Sequence, residues 1–336
     1  MSDSLNEYRQ AIWPLPAAQR NAEGEPRRLG IELEFIGLPL ERVAECLVTV
    51  FGGEREEISD YECLVHSPDL GEFTVELDFS YLKRRGRERQ AGNEGLEDLA
   101  EGVIALVAKR LVPVEIVAPP IAMRDLWRLE DLIREVRAAG ARGTRDAAHF
   151  AFGLHLNPEM PALDAATVQR DRQAFMCLYR WLMQRSAVDV SRRLTPYIDP
   201  YPKKYVQELL QSAAPGDTSE LIDQYLAHNP TRNRALDMLP LFAHLDEERV
   251  RATVDDPRIK PRPTLHYRLP NCQIDEPQWA LVHAWRDWLQ LEALATDPAR
   301  LAAACEDCAQ RAGSWSEQLF GNWAEAAYRW VVPELL

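Results

Sequence analysis

Leu29-Gly-Ile-Glu-Leu-Glu-Phe35 is a short stretch in which apolar and polar positions alternate strictly. Successive side chains of a β-strand point to opposite faces of the sheet, so the alternation predicts a strand with one face on a core. The apolar face carries Ile31, Leu33 and Phe35, and the other face carries Glu32 and Glu34. Two acids side by side are unexpected there, because Asp and Glu are disfavoured in strands.

Later strand-like runs repeat this division into an apolar and a polar face. They span residues 73–79, 114–117, 149–157 and 263–269. A further run at 61–66 forms a predicted hairpin with the first of them through the turn residues Pro68-Asp-Leu-Gly71. Pro119-Pro120 is expected to end the strand at 114–117. The polar faces carry Thr74, Glu76, Asp78, Glu115, Ala151, Gly153, His155, Asn157, Thr264, His266 and Arg268.

Helical periodicity fills the segments between and after these strands. Amphipathic runs cover 39–51, 93–111 and 122–139, a longer helical segment covers about 163–260, and a Trp-rich helical tail covers 277–331. The predicted fold is therefore α+β, with a largely antiparallel sheet, helices on its apolar face and a helical C-terminal region. Residues 1–28 are expected to be an irregular lead, and 29–336 a single domain.

The charge balance and the hydropathy pattern exclude several functional classes. There are 39 Lys and Arg against 53 Asp and Glu, a net charge of −14, whereas nucleic-acid binding needs a basic face. The apolar runs are too short to cross a bilayer, and Met1–Gln10 lacks the apolar core of a secretory signal. We therefore expect no nucleic-acid or membrane partner and a cytoplasmic location. No feature of the sequence specifies an oligomeric state.

Cys305-Glu-Asp-Cys308 has the spacing of a metal-ligand pair. A structural zinc site needs four ligands, and the neighbouring sequence offers no second pair. We interpret both cysteines as ordinary residues of a helix, with reduced thiols.

Five carboxylates would gather on one face if the predicted strands are neighbours: Glu32, Glu34, Glu76, Asp78 and Glu115. Two carboxylates about 4 Å apart repel by roughly 4 kcal/mol at an effective dielectric of about 20. Divalent cations offset such repulsion, and oxygen ligands with an occasional imidazole suit Mg²⁺ or Mn²⁺. The alternative interpretation is an antiparallel sheet whose polar face is simply solvated.

The same segments resemble the amidoligase family, which belongs to the carboxylate–amine ligases related to glutamine synthetase and glutamate–cysteine ligase. In chain order the matching stretches are Gly30–Phe35, Val75–Ser80, Glu115–Pro120, Phe152–Asn157 and Leu265–Arg268. The resemblance covers about residues 29–270. It implies a glutamine synthetase-like half-barrel whose concave polar face binds ATP and two or three metal ions.

The resemblance also implies roles for individual residues. Metal ligands would be Glu32, Glu34, Asp78, Glu115 and His155, with Glu76 as an extra acid. His155 would also lie near the nucleotide phosphates, with Asn157 assigned to the same cofactor. Arg268 would bind phosphate or substrate. The family usually has Glu two residues before this arginine, and His266 occupies that position as a potential metal ligand.

A further stretch, Thr231–Pro240, resembles the family's Arg- and Asn-containing segment before the last strand. Arg232 and Arg234 would then reach phosphates, and the alternative for both is an ordinary place on a helix surface.

The implied reaction is ATP- and Mg²⁺-dependent formation of an amide bond, with release of ADP. Phosphoryl transfer from ATP would convert a small-molecule or peptide carboxylate into an acyl phosphate, which an amine then attacks. Arg268 and Arg234 would cover phosphate oxygens, and Glu76 would take the proton of the amine. Two alternatives stay open: a phosphotransferase or metal-dependent hydrolase on the same sheet, and a catalytically lapsed protein that binds a nucleotide or a partner.

Overall fold

The computed structural model describes residues 9, 11–78, 112–143, 153–186, 198–312 and 325–336, and these residues form an α+β fold. The strands are β1 (Arg28–Phe35), β2 (Glu54–Ser59), β3 (Glu62–Ser67), β4 (Gly71–Leu77), β5 (Val114–Ala122), β6 (Leu154–Pro158), β7 (Leu236–Asp237) and β8 (His266–Tyr267). The helices are α1 (Leu40–Phe51), α2 (Leu129–Ala139), α3 (Ala165–Arg185), α4 (Lys203–Gln211), α5 (Thr218–Leu226), α6 (Leu239–Leu245), α7 (Glu247–Thr253), α8 (Leu281–Ala295) and α9 (Pro298–Ala312).

The eight described strands form one open, curved sheet in the order β2-β3-β4-β5-β1-β6-β8-β7. Every neighbouring pair is antiparallel, which confirms the predicted sheet type. Strand β1 lies between β5 and β6, so the alternating stretch at 29–35 forms the middle of the sheet.

The apolar face of β1 is buried as the alternation predicts. Ile31, Leu33 and Phe35 are each at most 1% exposed. Helix α1 covers this side of the sheet, packing on β3 and on α2. Because the helices occupy the apolar face, the glutamates of β1 are left on the opposite, polar face.

Strand β5 continues through Pro119-Pro120 to Ala122, so the prediction that these prolines end the strand was wrong. Leu29 pairs with Ile121 and Ile31 with Ala118, which places both prolines opposite Gly30 in a β-bulge. On its other edge β5 pairs with β4 only as far as Val117. The prolines thus lie where the ladder needs no N–H donor, and a strand tolerates proline at such positions.

Other element boundaries also differ from the sequence predictions. The run at 263–269 contributes only the two-residue strand β8, and β2, whose residues are all exposed, was not predicted. The helix expected over 122–139 starts as a 3₁₀ turn at Met123–Arg128 before α2. The predicted helix at 93–111, residue 79 of the strand at 73–79 and the run at 149–152 lie outside the described residues.

The N-terminal lead packs against the C-terminal helices. Arg27 forms a buried two-point ion pair with Glu292 of α8, with N–O distances of 2.8 Å. Trp285 of α8 donates its indole N–H to the Pro14 carbonyl at 2.9 Å. No helix within the described ranges is long and apolar enough to span a membrane.

Candidate active site on the polar face of the sheet

A row of acids crosses three neighbouring strands on the polar face. Glu115 of β5 is in register with Glu34 of β1 on one side and with Glu76 of β4 on the other. Glu32 lies two residues along β1, and Asp78 directly follows β4. All five predicted acids are therefore brought together, because the alternation puts them on one face and the pairing of β4, β5 and β1 makes their strands neighbours.

Burial and mutual repulsion together raise the pKa values of two acids of this row, Glu115 and Glu76. Burial raises the pKa of Glu115 well above its usual range, and the charges of Glu32, Glu34, Asp78 and Glu76 raise it further. The pKa of Glu76 is also raised, first by burial and then by Glu62 and Asp78. These shifts mean that the row is stabilised by any positive charge placed among the carboxylates.

Strand β6 places a histidine and an asparagine against Glu32. His155 is in register with Glu32, and its Nδ1 lies 2.8 Å from Glu32 Oε2. Asn157 donates its amide Nδ2 to Glu32 Oε1 at 2.9 Å. Burial alone would raise the pKa of Glu32, but its hydrogen bond with His155 and the charge of Arg262 hold the pKa well below its usual range. Glu32 is therefore an ionised acceptor that fixes the ring of His155.

The opposite nitrogen of His155 faces the acid row. Its Nε2 lies 3.8 Å from Glu34 Oε1, while Glu34 Oε2 accepts the backbone N–H of Gly153 at 2.8 Å. Ligand atoms of Glu34, Glu115 and His155 lie within 4.8 Å of one another. A histidine that donates one N–H to a carboxylate and offers its other nitrogen is the usual arrangement of a metal-binding imidazole. These three residues fit a divalent cation.

A second group, Glu32, His155 and His266, has the same spacing but a different chemistry. Arg262 Nη2 lies 2.9 Å from His266 Nδ1 and 2.8 Å from Asn157 Oδ1. Because arginine only donates, Nδ1 of His266 must accept, and the ring proton is on Nε2. Burial lowers the pKa of His266 well below its usual range, which keeps the ring neutral. His266 therefore presents an N–H donor rather than a lone pair.

Three arginines lie near His266 and Asp237, at the end of the polar face that is away from the acid row. Asp237 of β7 is in register with His266, and Arg232, Arg262 and Arg268 all act on its charge. Arg268 donates from Nη1 to the Arg232 carbonyl at 2.7 Å. Burial raises the pKa of Asp237 to about 6, against the lowering effect of the Leu239 N–H and the arginines.

Three buried polar atoms in this arginine-rich part of the face have no hydrogen-bond partner among the described residues. They are Arg232 Nε, His266 Nε2 and Asp237 Oδ2. Buried polar atoms are almost always paired in native proteins, so an unpaired set deserves an explanation. Arg232 Nε and His266 Nε2 are donors suited to an anion, whereas the carboxylate oxygen Asp237 Oδ2 needs a donor of its own.

Arg234 is not brought to this face by any contact in the described residues. Its Nε donates to Asn229 Oδ1 at 2.8 Å, and Nη1 and Nη2 donate to the carbonyls of Asp199, Pro200 and His228. Its guanidinium also lies 5.4 Å from the centre of the Tyr201 ring. Arg234 therefore has a structural role in these contacts, where it links the segments around residues 199–200 and 228–229.

Arg262 and Asp237 were not predicted as site residues. Arg262 lies in the Pro-Arg-Pro segment before β8, and Asp237 lies in a two-residue strand. Neither position carries a periodic signal, since both depend on how the loops before β7 and β8 fold back on β6. The spacing of four residues between Arg262 and His266 is the one feature that could have suggested a contact.

The polar face thus has an acidic part on β4, β5 and β1 and a basic part around β7 and β8, with His155 and Asn157 between them. Neither the curated proteins nor the solved structures contain a match to the chain. A family model described as "Putative amidoligase enzyme" matches residues 25–290, which include every residue of both parts. Since that match covers well over half of the sequence, the chain belongs to the amidoligase family.

Proposed function

We propose that the protein is an ATP- and Mg²⁺-dependent carboxylate–amine ligase that forms an amide bond through an acyl phosphate. The observation that carries the proposal is the division of one sheet face into an acidic part and a basic part. Phosphoryl transfer needs cations to neutralise the charge of the phosphates and donors to position them. The curved antiparallel sheet supports the relation to the glutamine synthetase half-barrel that we infer for it.

Glu34, Glu115 and His155 would hold one cation, Mg²⁺ or Mn²⁺. Glu32 would act mainly through His155, because its oxygens already accept from His155 and Asn157. Asp78, directly after β4, lies at the far end of the acid row and would serve a second cation. A bound cation supplies neutralisation of the charge that develops on the transferred phosphoryl group.

The basic part would bind the phosphates of ATP. Arg232, Arg268 and the Nε2–H of His266 would donate to phosphate oxygens, and Arg262 would hold the ring of His266 in the donating form. We therefore replace the expected metal-binding role of His266 with that of a phosphate donor. A histidine in place of the family's glutamate removes one negative charge, and this favours binding of nucleotide phosphates here over binding of an additional cation.

Glu76 is the carboxylate that we assign to the proton of the attacking amine. Burial and the neighbouring acids raise its pKa, and a carboxylate with a raised pKa is a stronger base. The carboxylate and amine substrates would be small molecules or peptides that approach the face between its acidic and basic parts.

The test is a turnover screen with Mg²⁺-ATP and pooled carboxylates and amines. The ligase requires both substrates for ADP release, whereas a phosphotransferase or hydrolase releases ADP or phosphate when one of them is omitted. Glu34→Gln should abolish turnover, and Glu54→Gln on the exposed edge strand should leave it unchanged. ADP release that needs only one substrate, or that survives Glu34→Gln, would contradict the proposal.

A catalytically lapsed protein remains the second candidate, because His266 departs from the family pattern. That candidate predicts binding of ATP without turnover on any pair of substrates. The ligase proposal fails if the screen gives no product while ATP binds normally.

A further inference from the structure

Three thiols meet between helices α3 and α9, away from the sheet face described above. Cys177 lies on α3, and Cys305 and Cys308 lie one turn apart on α9. The Sγ atoms of Cys177 and Cys305 are 3.8 Å apart, and Cys308 Sγ is 3.8 Å from the Cys177 carbonyl oxygen. Helix packing therefore adds a third thiol, 128 residues away in the chain, to the pair that we interpreted as ordinary helix residues.

A cavity of about 660 Å³ opens onto one of these thiols only. Cys305 lines the cavity, together with residues of α3, the end of α4 and the loop that follows it. Cys177 and Cys308 are not among its lining residues and are 2% and 1% exposed. A small reagent would thus reach Cys305 first, with Cys177 directly behind it.

The cavity wall also offers polar partners to a ligand. Gln169 is 2% exposed and lines the cavity, and its Oε1 has no hydrogen-bond partner among the described residues. Arg170 supplies a positive charge on the same wall. A reagent that carries an ammonium or amide group can donate to Gln169, and one that carries a carboxylate can accept from Arg170.

The two facing thiols differ in acidity. The hydrogen bond between the two thiols lowers the pKa of Cys305, although burial acts in the opposite direction. The pKa of Cys177 is raised well above its usual value, first by its contacts with Cys305 and Cys308 and then by burial. Cys305 is therefore the better thiolate, and the thiolate is the form that attacks a disulfide.

We propose that Cys305 and Cys177 form a reversible disulfide when a low-molecular-weight disulfide, RSSR, enters this cavity. The Cys305 thiolate attacks one sulfur of RSSR, the S–S bond of the reagent breaks, and one RSH leaves with the proton that Cys305 gave up. Cys177 then gives up its proton, its sulfur attacks Cys305 Sγ, the S–S bond between Cys305 and the reagent breaks, and the second RSH leaves with that proton. The balance is two protein thiols plus RSSR giving one protein disulfide plus two RSH, and an added dithiol reverses it.

The experiment treats the native full-length protein with cystamine or oxidised glutathione and follows intact mass and cysteine-containing peptides. We expect the loss of two hydrogen atoms and a Cys177–Cys305 cross-link, formed roughly tenfold or more faster than any adduct at Cys46 or Cys63, because attack depends on thiolate fraction and access. Cys177→Ser should stop the reaction at a mixed disulfide on Cys305. Cys305→Ser should leave Cys177 unmodified, and Cys46→Ser should still give the cross-link.

The reaction rate in low urea separates a native reaction from one that needs unfolding. A rate that does not change between zero and sub-denaturing urea supports the proposal, and it can be measured on the unsubstituted chain even if a serine variant does not fold. Modification that rises with urea in step with global unfolding, or that starts at another cysteine, overturns it. Neither outcome depends on the ligase proposal, because no nucleotide is used.

Discussion

Glu115 lies in register between Glu34 and Glu76, and its pKa is raised well above the usual range. Its pKa is raised because the folded protein holds its charge in a half-buried place beside four other acids. The folded state then binds a proton that the unfolded state releases. Without a cation, this carboxyl group makes stability fall as pH increases above its ordinary pKa.

Glu115→Gln should therefore stabilise the protein in the absence of divalent cations and weaken cation binding. The expected gain at pH 7.5 is about 1 kcal/mol or more, because each pKa unit corresponds to about 1.4 kcal/mol. Urea unfolding at pH 4.5 and pH 7.5, with chelator and then with Mg²⁺, measures both effects. The variant should lose the stabilisation that Mg²⁺ gives the original protein. A variant that is less stable than the original in chelator would show that Glu115 has an ordinary structural role.

His266 can bind either a phosphate or a metal ion, and the state of its Nε2 atom decides which. A phosphate donor needs the N–H that Arg262 fixes at Nε2, and a metal ligand needs a lone pair. Gln can donate through its amide, and Glu can only accept when ionised.

His266→Gln should therefore keep most of the affinity for ATP, and His266→Glu should weaken it by about tenfold or more, which corresponds to about 1.4 kcal/mol. Calorimetric titration of ATP in the presence of Mg²⁺ compares the two variants. The opposite order, with Glu binding ATP more tightly than Gln, would return His266 to the metal site.

The strands show which parts of the fold and site the sequence could predict. Strand β1 and its acids were predictable, because the strand is central and buried on one face, so its alternation is strict. The end of β5 was not, because a bulge opposite Gly30 gives the two prolines a place that sequence pattern does not reveal. In the basic part, the alternation at 263–269 predicted the face of His266 and Arg268, and Arg232 came only through the resemblance. Arg262 and Asp237 were not predicted, since β7 and β8 are two residues long and Arg262 lies in a loop.

Gly30 of β1 leaves the space that Asn157 of the site occupies on the neighbouring strand β6. It is in register with Asn157, and a Cβ at position 30 would lie 3.3 Å from the Cβ of Asn157. Asn157 connects Glu32 to Arg262 through its amide, so a small displacement there affects both.

Gly30→Ala should cost about 1–3 kcal/mol of stability through overpacking and should weaken ATP binding. Ala44→Gly in α1 is the control, because it destabilises the protein at a buried position remote from the polar face. If Gly30→Ala leaves ATP affinity unchanged at equal loss of stability, Asn157 does not organise the site.

At the scale of the whole molecule, the ion pair of Arg27 and Glu292 links the N-terminal lead to helix α8. Both side chains are at most 9% exposed, and Trp288 also donates to Glu292 at 2.8 Å. Removing one partner of a buried pair leaves the other charge unpaired, which is strongly destabilising.

Glu292→Gln should therefore cost about 3–5 kcal/mol, and Arg27→Met a similar amount. The double substitution should cost less than the sum of the two, because neither charge is then left alone. Arg42→Met removes an exposed pair with Glu45 and should change stability by less than about 1 kcal/mol. Urea unfolding of the four variants measures this, and additive losses in the double variant would contradict the coupling.

The claim on which the functional account depends is that the acidic and basic parts of the sheet bind a cation and a nucleotide together. Calorimetric titration of ATP with Mg²⁺ and with chelator tests it most directly. We predict binding that is at least about tenfold tighter with Mg²⁺, a difference that Glu34→Gln removes and Glu54→Gln preserves. No binding of ATP, or an affinity that is the same with chelator and unaffected by Glu34→Gln, would contradict the account.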